Sequence, residues 1–278
     1  MIFYKIITML KANYHTHTKR CGHAIGEDEE YVLEAIGKGF RTLGFSDHAM
    51  FPTFSEPHVR GDYQQCFDDY ISSINALRKK YSQKIDIYLG FEAESIPAFF
   101  PFLKELIDNG VLDYLILGNH FSLSDNGAIA VKFSSITNAS QLYLYRDLAI
   151  KAMRSKMFSI FAHPDYCFSS VSNFDSDCKK ITRDIISCAI EEDIPLEINV
   201  AGIRSGKKRI GDEDRYIYPT DFFFSVASKM NAKCIIGQDA HSPRQVYADA
   251  SVYEAVSFAK RHDLNLVDEI KIERKHSL

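Results

Sequence analysis

The segment Asn13-Tyr14-His15-Thr16-His17 places two histidines at the end of a short apolar run. At five later points in the chain, polar side chains likewise follow a short apolar run. Each later segment also ends at or next to a histidine or an acid: Phe45-Ser46-Asp47-His48, Gly90-Phe91-Glu92, Leu117-Gly118-Asn119-His120, Phe161-Ala162-His163-Pro164 and Gly237-Gln238-Asp239-Ala240-His241. Short apolar runs are typical of buried parallel strands. In an α/β barrel the carboxyl ends of the strands converge on one face, so side chains placed there meet although they are distant in sequence. The six segments together predict a site at one end of a barrel.

Seven predicted strands alternate with helical patterns along the chain. The strands lie near 10–15, 41–46, 85–92, 112–118, 157–162, 194–200 and 233–238, and the helices near 28–38, 62–81, 98–109, 139–154, 175–192, 220–230, 244–248 and 252–262. This alternation implies parallel strands with right-handed crossovers, in either an open doubly wound sheet or a closed barrel. An open sheet concentrates function at its switch point, whereas side chains from nearly every strand end require a ring. We therefore predict an α/β fold: a distorted (β/α)7 TIM-like barrel in a single domain.

Composition and charge limit the classes of function. The 278 residues are 46% apolar and contain no Pro/Gly/Ser-rich linker, which agrees with one domain. The net charge of -4 and the lack of a basic, aromatic-interleaved stripe argue against a nucleic-acid substrate and favour a small molecule. The six scattered cysteines form no CxxC pair, which indicates reduced thiols and a cytoplasmic protein. Two of them, Cys21 and Cys167, lie close to the histidine motifs and are interpreted as buried spectators.

The ends of the chain carry separate expectations. Residues 1–10 are apolar, but this run is too short to span a bilayer and has no small-residue cleavage site after it, so we predict neither a signal peptide nor a membrane segment. Met9 immediately precedes the first strand, and the hypothesis is that residues 1–8 are a dispensable extension. The barrel is expected over residues 9–270, followed by a polar tail at 271–278. The sequence does not fix an oligomeric state.

The spacing within the motifs suits metal binding. His15 and His17 are separated by one residue on a strand, so their side chains share a face and can hold one ion. Asp239 and His241 repeat this spacing, and imidazole with carboxylate suits zinc, manganese or iron. A lone pair of this kind is often only a polar strand end. For the whole set, unrelated buried polar groups are disfavoured, because so many imidazoles without partners would be expensive to desolvate.

The ordered motifs resemble the polymerase and histidinol phosphatase (PHP) superfamily, and most closely its histidinol-phosphate phosphatases. The resemblance runs from His15-Thr16-His17-Thr18 to Asp239-Ala240-His241 and includes Gly44-Phe45-Ser46-Asp47-His48, Gly90-Phe91-Glu92, His120-Phe121, Ala162-His163-Pro164-Asp165 and Glu197-Ile198-Asn199. It implies a distorted seven-stranded barrel with a centre of three divalent or transition metal ions. The ligands implied are His15, His17, Glu92 and Asp239 for one ion, His23, His48 and His241 for a second, and Glu92, His120 and His163 for the third. Glu92 is then a bridging carboxylate.

The activity implied by the resemblance is hydrolysis of L-histidinol phosphate to L-histidinol and inorganic phosphate, a step of histidine biosynthesis. Clustered divalent ions bind phosphate oxygens and lower the pKa of a bridging water, whose hydroxide attacks phosphorus in line. Three candidates remain for the general acid: Asp239, His241 and a metal-bound water. The alternatives are another small-molecule or nucleotide phosphoesterase on the same metal site, or a non-catalytic metal-binding module.

Substrate contacts are less well specified by the sequence. Arg204 resembles the family's phosphate-binding arginine, and its guanidinium fork suits two phosphate oxygens. A second basic anchor is expected after the fifth strand, but Asp165-Tyr166-Cys167-Phe168 supplies none. The candidate substitutes are Arg60, Lys207 and Arg244. Candidates for the amine and imidazole of the substrate are Glu94, Phe121, Asp165 and the loop at 51–62, which contains His58.

Overall fold

The computed structural model describes residues 10–246 and 250–275. Eight parallel strands form one curled sheet in chain order: β1 (Ala12–Asn13), β2 (Thr42–His48), β3 (Asp86–Ala93), β4 (Tyr114–Leu117), β5 (Ile160–Phe161), β6 (Leu196–Asn199), β7 (Lys233–Gly237) and β8 (Asn265–Leu266). The register pairs Thr42 with Asp86 and continues to His48 opposite Glu92, which sets these two side chains on neighbouring strand ends.

In the part of the chain that the structure describes, eight α-helices connect the strands. They are α1 (Asp28–Gly37), α2 (Tyr63–Tyr81), α3 (Phe100–Asp108), α4 (Ala139–Arg154), α5 (Ser176–Glu191), α6 (Val200–Arg204), α7 (Asp221–Lys229) and α8 (Ala250–Arg261). Several begin at an acid or amide whose side chain accepts from a backbone N–H of the first turn, as Asp62 does for α2 and Asp175 for α5. Within the described residues, no helix is long and apolar enough to span a membrane.

The barrel closes differently at its two ends. At the mouth, Thr16 and Ala240 form a parallel bridge, with His17 N donating to Ala240 O at 2.9 Å and Ala240 N donating to His15 O at 3.2 Å. At the floor, the short strand β8 pairs with the beginning of β7. The predicted distorted TIM-like barrel is confirmed, and the sheet contains β8 as an eighth strand that the sequence pattern did not predict.

The apolar core lies in two places. The larger part fills the space between the sheet and the helices, and a smaller cluster fills the barrel interior: Ala12, Tyr14, Tyr114, Ile116, Ile160, Ala162 and Ile235. Val267, Ile270 and Ile272 pack against this inner cluster from the floor. Arg274 continues the segment, since its Nη2 donates to Ile87 O at 2.9 Å and its guanidinium lies over the Tyr88 ring. The described part of the predicted tail therefore contacts the barrel, while residues 1–8 and 276–278 lie outside the described residues.

Two hairpins and one short helix were not predicted. Phe121–Leu123 pairs with Ile129–Lys132 in a hairpin at the mouth, which we call the mouth hairpin, and Lys208–Ile210 pairs with Glu213–Arg215. The short helix is α6. Around the predicted helix 244–248, the described residues form only a 3-10 turn, Pro243–Val246, and 247–249 lie outside the described residues.

Candidate metal centre

The side chains that the sequence analysis assigned to metal ions meet at the mouth of the barrel. They are His15, His17, His23, His48, Glu92, His120, His163, Asp239 and His241. The imidazole rings are close together: the centroids of His17 and His241 are 4.1 Å apart, and those of His120 and His163 are 4.9 Å apart. His23 comes from the loop after β1 and stands 4.6 Å from His241. The convergence predicted from strand-end placement is thus present in the structure.

Glu92 faces two groups of imidazoles with its two oxygens. Its Oε2 lies 3.1 Å from His48 Nδ1 and 3.5 Å from His17 Nε2. Its Oε1 lies 2.9 Å from His163 Nε2 and 3.4 Å from His120 Nε2. A carboxylate between two groups of nitrogen donors has the geometry of a bridge between two metal positions.

Asp239 completes the group around the first histidine pair. Its Oδ1 lies 3.2 Å from His17 Nε2 and 3.6 Å from His15 Nε2, and these two nitrogens are 3.1 Å apart. Asp239 and His163 both have positive φ, 46° and 31°, immediately after their strands. Backbone conformations of this kind are costly for residues other than glycine and cluster at functional sites.

Carboxylates behind the site orient several of the imidazoles. The Nδ1 of His15 is 2.8 Å from Glu197 Oε1, and the Nδ1 of His120 is 2.9 Å from Glu94 Oε1. The Nδ1 of His17 is 3.4 Å from Asp47 Oδ1. Such partners fix the orientation of the ring, so that the opposite nitrogen, Nε2, points into the pocket, where it would coordinate a metal ion once deprotonated.

The protonation equilibria show strong coupling between these groups. Burial lowers the pKa of His17 and of His120, but the adjacent carboxylates outweigh it and raise both to about 9. Burial also opposes ionisation of Glu92 and Asp239, yet the surrounding histidines hold the pKa of each carboxyl well below its usual range. The pKa of His241 falls to about 4, because burial and the neighbouring His17 both disfavour its charge. Without metal, protons therefore lie on imidazoles such as those of His17 and His120 while the carboxylates stay ionised, and a bound ion would replace those protons.

The donor set fits divalent metal ions. Four buried polar atoms in this pocket have no hydrogen-bond partner among the described residues: His48 Nδ1, His163 Nδ1, Asp239 Oδ1 and His241 Nε2. Among the described residues, five sets of ligand atoms each lie within 4.8 Å of one another. Three contain only histidines and Glu92: His15, His17 and Glu92; His48, Glu92 and His120; and His17, His48 and His241. The other two include the buried thiol of Cys21: Cys21, His23 and His241; and His17, Cys21 and Asp47. Nitrogen and oxygen donors in such clusters suit zinc, manganese and iron.

A cavity of about 320 Å³ opens above these residues. Of the predicted substrate contacts, Arg60, Glu94 and Phe121 line it, whereas Asp165 and Arg204 do not. Asp165 is fully buried, and its Oδ2 accepts from Thr220 N at 2.6 Å. This position differs from the expected one, because the turn after β5 directs the carboxylate to the start of α7.

Arg60 and Glu94 form a chain of contacts that leads to the metal side chains. Arg60 Nη2 donates to Glu94 Oε1 at 3.0 Å, and its Nη1 donates to Ala49 O at 2.8 Å. Glu94 in turn accepts from His120 N at 2.7 Å and lies against the His120 ring. These contacts indicate that Arg60 and Glu94 position the His120 ring. Direct contact of either residue with the substrate stays a prediction.

The other predicted basic residues lie elsewhere. Arg204 ends α6 and donates from Nη2 to Gln238 O at 3.3 Å, beside the strand end that carries Asp239. Lys207 stands over the Tyr216 ring, and Arg244 lines a different surface depression. His58 has a positive φ of 66° in the loop that follows β2 and does not line the cavity.

Sequence reasoning gave no role to several residues that shape the site. Glu197 and Asp47 orient histidines, and both were quoted in strand-end motifs, so their position at the strand ends was an available signal. Lys132, Tyr166 and Tyr218 line the cavity. Lys132 ends the second strand of the mouth hairpin, and the two tyrosines lie in connections between elements, so none of the three stands at the end of a strand of the barrel.

Comparisons with known proteins agree with this geometry. The sequence pattern of the PHP domain matches residues 13–201. A probable histidinol-phosphatase of Deinococcus radiodurans is 27% identical over 245 residues, which cover 85% of this chain and 89% of that protein. The histidinol-phosphatase of Bacillus subtilis is 26% identical over 263 residues, covering 86% and 96%.

A solved structure is similar in fold. The histidinol phosphate phosphatase of Lactococcus lactis subsp. lactis, complexed with zinc, L-histidinol and phosphate, aligns with a TM-score of 0.66 at 18% identity. The alignment covers 94% of this chain and 98% of that chain. Because the PHP domain pattern matches more than half of the sequence, this chain belongs to the PHP domain family.

Proposed function

We propose that this protein is a metal-dependent phosphatase that hydrolyses L-histidinol phosphate to L-histidinol and inorganic phosphate. The observation that carries the proposal is the cluster of seven histidines around Glu92 and Asp239 beneath the open cavity at the mouth of the barrel. The relatives named histidinol-phosphatase support the substrate, as does the fold shared with a protein that binds zinc, L-histidinol and phosphate.

Three ions are part of the proposal. His15, His17, Glu92 and Asp239 would hold the first. The second would be held by His23, His48 and His241, and the third by Glu92, His120 and His163. When bound, such ions neutralise charge on the phosphate oxygens and make water a stronger acid.

The chain's own residues position the metal-binding and phosphate-binding groups and transfer protons. Glu197, Asp47 and Glu94 hold imidazole rings in fixed orientations, so the nitrogens need no rearrangement during the reaction. Arg204 is proposed to bind phosphate oxygens. Asp239 and His241 lie at the cavity wall, with His241 Nδ1 3.4 Å from Asp239 Oδ1, and they stay candidates, beside a metal-bound water, for the group that protonates the departing alkoxide oxygen.

The substrate class and cellular location follow from the same features. A cavity of about 320 Å³ at the barrel mouth suits a small phosphate monoester. The six cysteines are all free thiols, as expected in a reducing compartment, and a cytoplasmic location belongs to the proposal.

The test is a steady-state assay of metal-supplemented protein on L-histidinol phosphate and on a panel of other phosphate monoesters, including nucleotides. We expect the highest kcat/KM for L-histidinol phosphate. Much better turnover of nucleotides would remove the substrate assignment. Metal-loaded protein that hydrolyses no ester would instead indicate a non-catalytic metal-binding module.

A further inference from the structure

Among the described residues, four carboxylates line the cavity, and three of them contact histidines of the metal centre. Glu92 and Asp239 face the histidines of the metal centre. Glu94 is almost fully buried, at 1% side-chain exposure, and contacts His120 and Arg60. The fourth, Glu56, has neither a hydrogen bond nor an ion pair with any histidine among the residues that the structure describes.

Glu56 lies where the cavity opens to solvent. Its side chain is 17% exposed, more than those of the other three carboxylates. Its Oε2 accepts from Arg60 Nε at 3.3 Å and from Nη2 at 3.2 Å. Since Ala49 O and Glu94 also hold the Arg60 guanidinium, Glu56 is anchored in place before any ligand arrives.

The charge of this group is unbalanced. Glu56 and Glu94 are two carboxylates that share one guanidinium, so these three side chains carry a net charge of about -1 when ionised. His120, which also contacts Glu94, would be neutral in the metal-loaded protein and would not offset this charge. Glu94 is enclosed, and Glu56 presents that charge to the cavity. A positive group that enters here gains a charge-assisted hydrogen bond in a partly desolvated site, where such bonds are stronger than in bulk water.

We propose that Glu56 binds the positively charged amino group of the substrate and so selects phosphate monoesters that also carry a cation. This inference rests on the proposed function. In L-histidinol phosphate two carbon atoms separate the amine nitrogen from the ester oxygen. A phosphate at the histidine cluster therefore leaves the amine close by, within the same cavity that Glu56 lines.

The experiment combines one substitution with two substrates. Glu56→Gln removes the charge and keeps the shape and hydrogen-bonding capacity. The substrates are L-histidinol phosphate and its deamino analogue, imidazolylpropanol phosphate. We expect kcat/KM of the variant to fall about 10-fold or more on L-histidinol phosphate, mainly through KM, and to change less than about 2-fold on the analogue.

Controls separate recognition from damage. Glu105→Gln, at an exposed position on α3, should leave both substrates unaffected, and metal content should be equal in all three proteins. A disturbed Arg60 would lower the rates on both substrates together, because the analogue needs the same metal centre.

Two results would overturn the inference while leaving the proposed function in place. These are an equal loss on both substrates, and no loss on L-histidinol phosphate. Wild-type protein that hydrolyses neither ester when loaded with metal would instead remove the proposed function, and this inference with it.

Discussion

Glu92 is a buried carboxylate that also lies between two groups of histidines. It is almost fully buried, and its two oxygens face different histidines: His15, His17 and His48 lie near Oε2, and His120 and His163 lie near Oε1. Burial alone would keep such a carboxyl neutral, but the histidines hold its pKa well below the usual range. The negative charge is therefore retained at the centre of the pocket, where it can balance cations on both sides.

The first prediction concerns this charge. Glu92→Gln should lower the bound metal content and reduce phosphatase activity by roughly 100-fold or more, because an amide oxygen is a poor bridging ligand. Elemental analysis beside kinetics measures both effects, and Glu105→Gln is the matched surface control. Full metal content and full activity in the variant would rule out the bridging role.

The second prediction concerns Arg204. Its contact with Gln238 O is peripheral to the imidazoles, so Arg204→Ala should keep its metal. We expect inorganic phosphate to inhibit the variant about 10-fold less strongly, because a charge-assisted contact to the anion is lost. The inhibition constant of phosphate and the metal content measure this. Loss of metal in the variant would contradict the assigned role.

The third prediction concerns pH in the metal-free protein. The pKa values of His17 and His120, about 9, exceed the ordinary 6.5, so their contribution to stability is complete below pH 6.5 and is lost as pH rises through 9. The pKa of His241, about 4, is depressed, so its contribution is present above pH 6.5 and is lost as pH falls through 4.

Urea unfolding in chelator should therefore show stability falling between pH 6.5 and 9, by about 1.4 kcal/mol per pH unit for each of the two raised histidines at most. Saturating zinc should remove this alkaline loss, because metal binding requires the deprotonated imidazoles. A flat alkaline profile in chelator would show that the histidines do not hold these protons.

At the scale of elements, the sequence revealed the strands better than the connections. Each of the seven predicted strands is present, because a buried parallel strand leaves a continuous apolar run. β8, Asn265 and Leu266, was missed because Asn265 interrupts the apolar residues around it, so no continuous apolar run marks this strand. The mouth hairpin is also short: its first strand has three residues, and its second strand alternates between half-buried and exposed positions.

For the site as for the fold, the residues at strand ends could be predicted from the sequence, and those in the connections could not. His15, Glu92 and Asp239 could be placed because they directly follow apolar runs. Glu56 and Lys132 could not, since they reach the cavity through tertiary folding of loops and the mouth hairpin. The orientation of Arg60 was also beyond the sequence, because it depends on Glu94 and a backbone carbonyl.

The fourth prediction concerns the contact between β6 and β7. A Cβ at Gly237 would overlap Glu197 Oε1, the atom that holds His15. Gly237→Ala should therefore destabilise the protein by about 1–3 kcal/mol and weaken metal binding roughly 10-fold to 100-fold. Thermal unfolding and metal titration measure these effects.

Gly37→Ala is the matched control for this variant. No heavy atom lies within 4 Å of a Cβ at that position, and the residue is at the end of α1. It should be neutral or stabilising, by up to about 1 kcal/mol, with unchanged metal affinity. Unaltered metal affinity in Gly237→Ala would show that Glu197 does not act through His15.

At the scale of the whole molecule, the barrel has a functional mouth and an apolar floor. Ile270 and Ile272 cover the inner cluster at the end opposite the metal centre. The two ends can therefore be perturbed separately, which makes stability and activity distinguishable.

The fifth prediction uses this separation. Replacing both Ile270 and Ile272 by Ser should lower the free energy of unfolding by about 2 kcal/mol, because apolar area is lost from the floor. Activity at 25 °C should be retained. Lys271→Ser, at a position whose side chain is 84% exposed, should change neither. An equal effect of the lysine variant would show that the floor contacts add no stability.

The bridge between Thr16 and Ala240 joins residues 224 positions apart, at the centres of the motifs that carry His15, His17, Asp239 and His241. Bringing such remote segments together costs chain entropy. Among the described residues, two backbone hydrogen bonds and one from Gln238 N to Asn13 Oδ1 join the carboxyl ends of the first and seventh strands and the segments that follow them. Metal ions bound by His15 and His17 on one side and by Asp239 and His241 on the other would hold these two segments together. The cations proposed to promote hydrolysis would then also stabilise the closed barrel. A shortage of metal would therefore lower both the amount of folded enzyme and its activity.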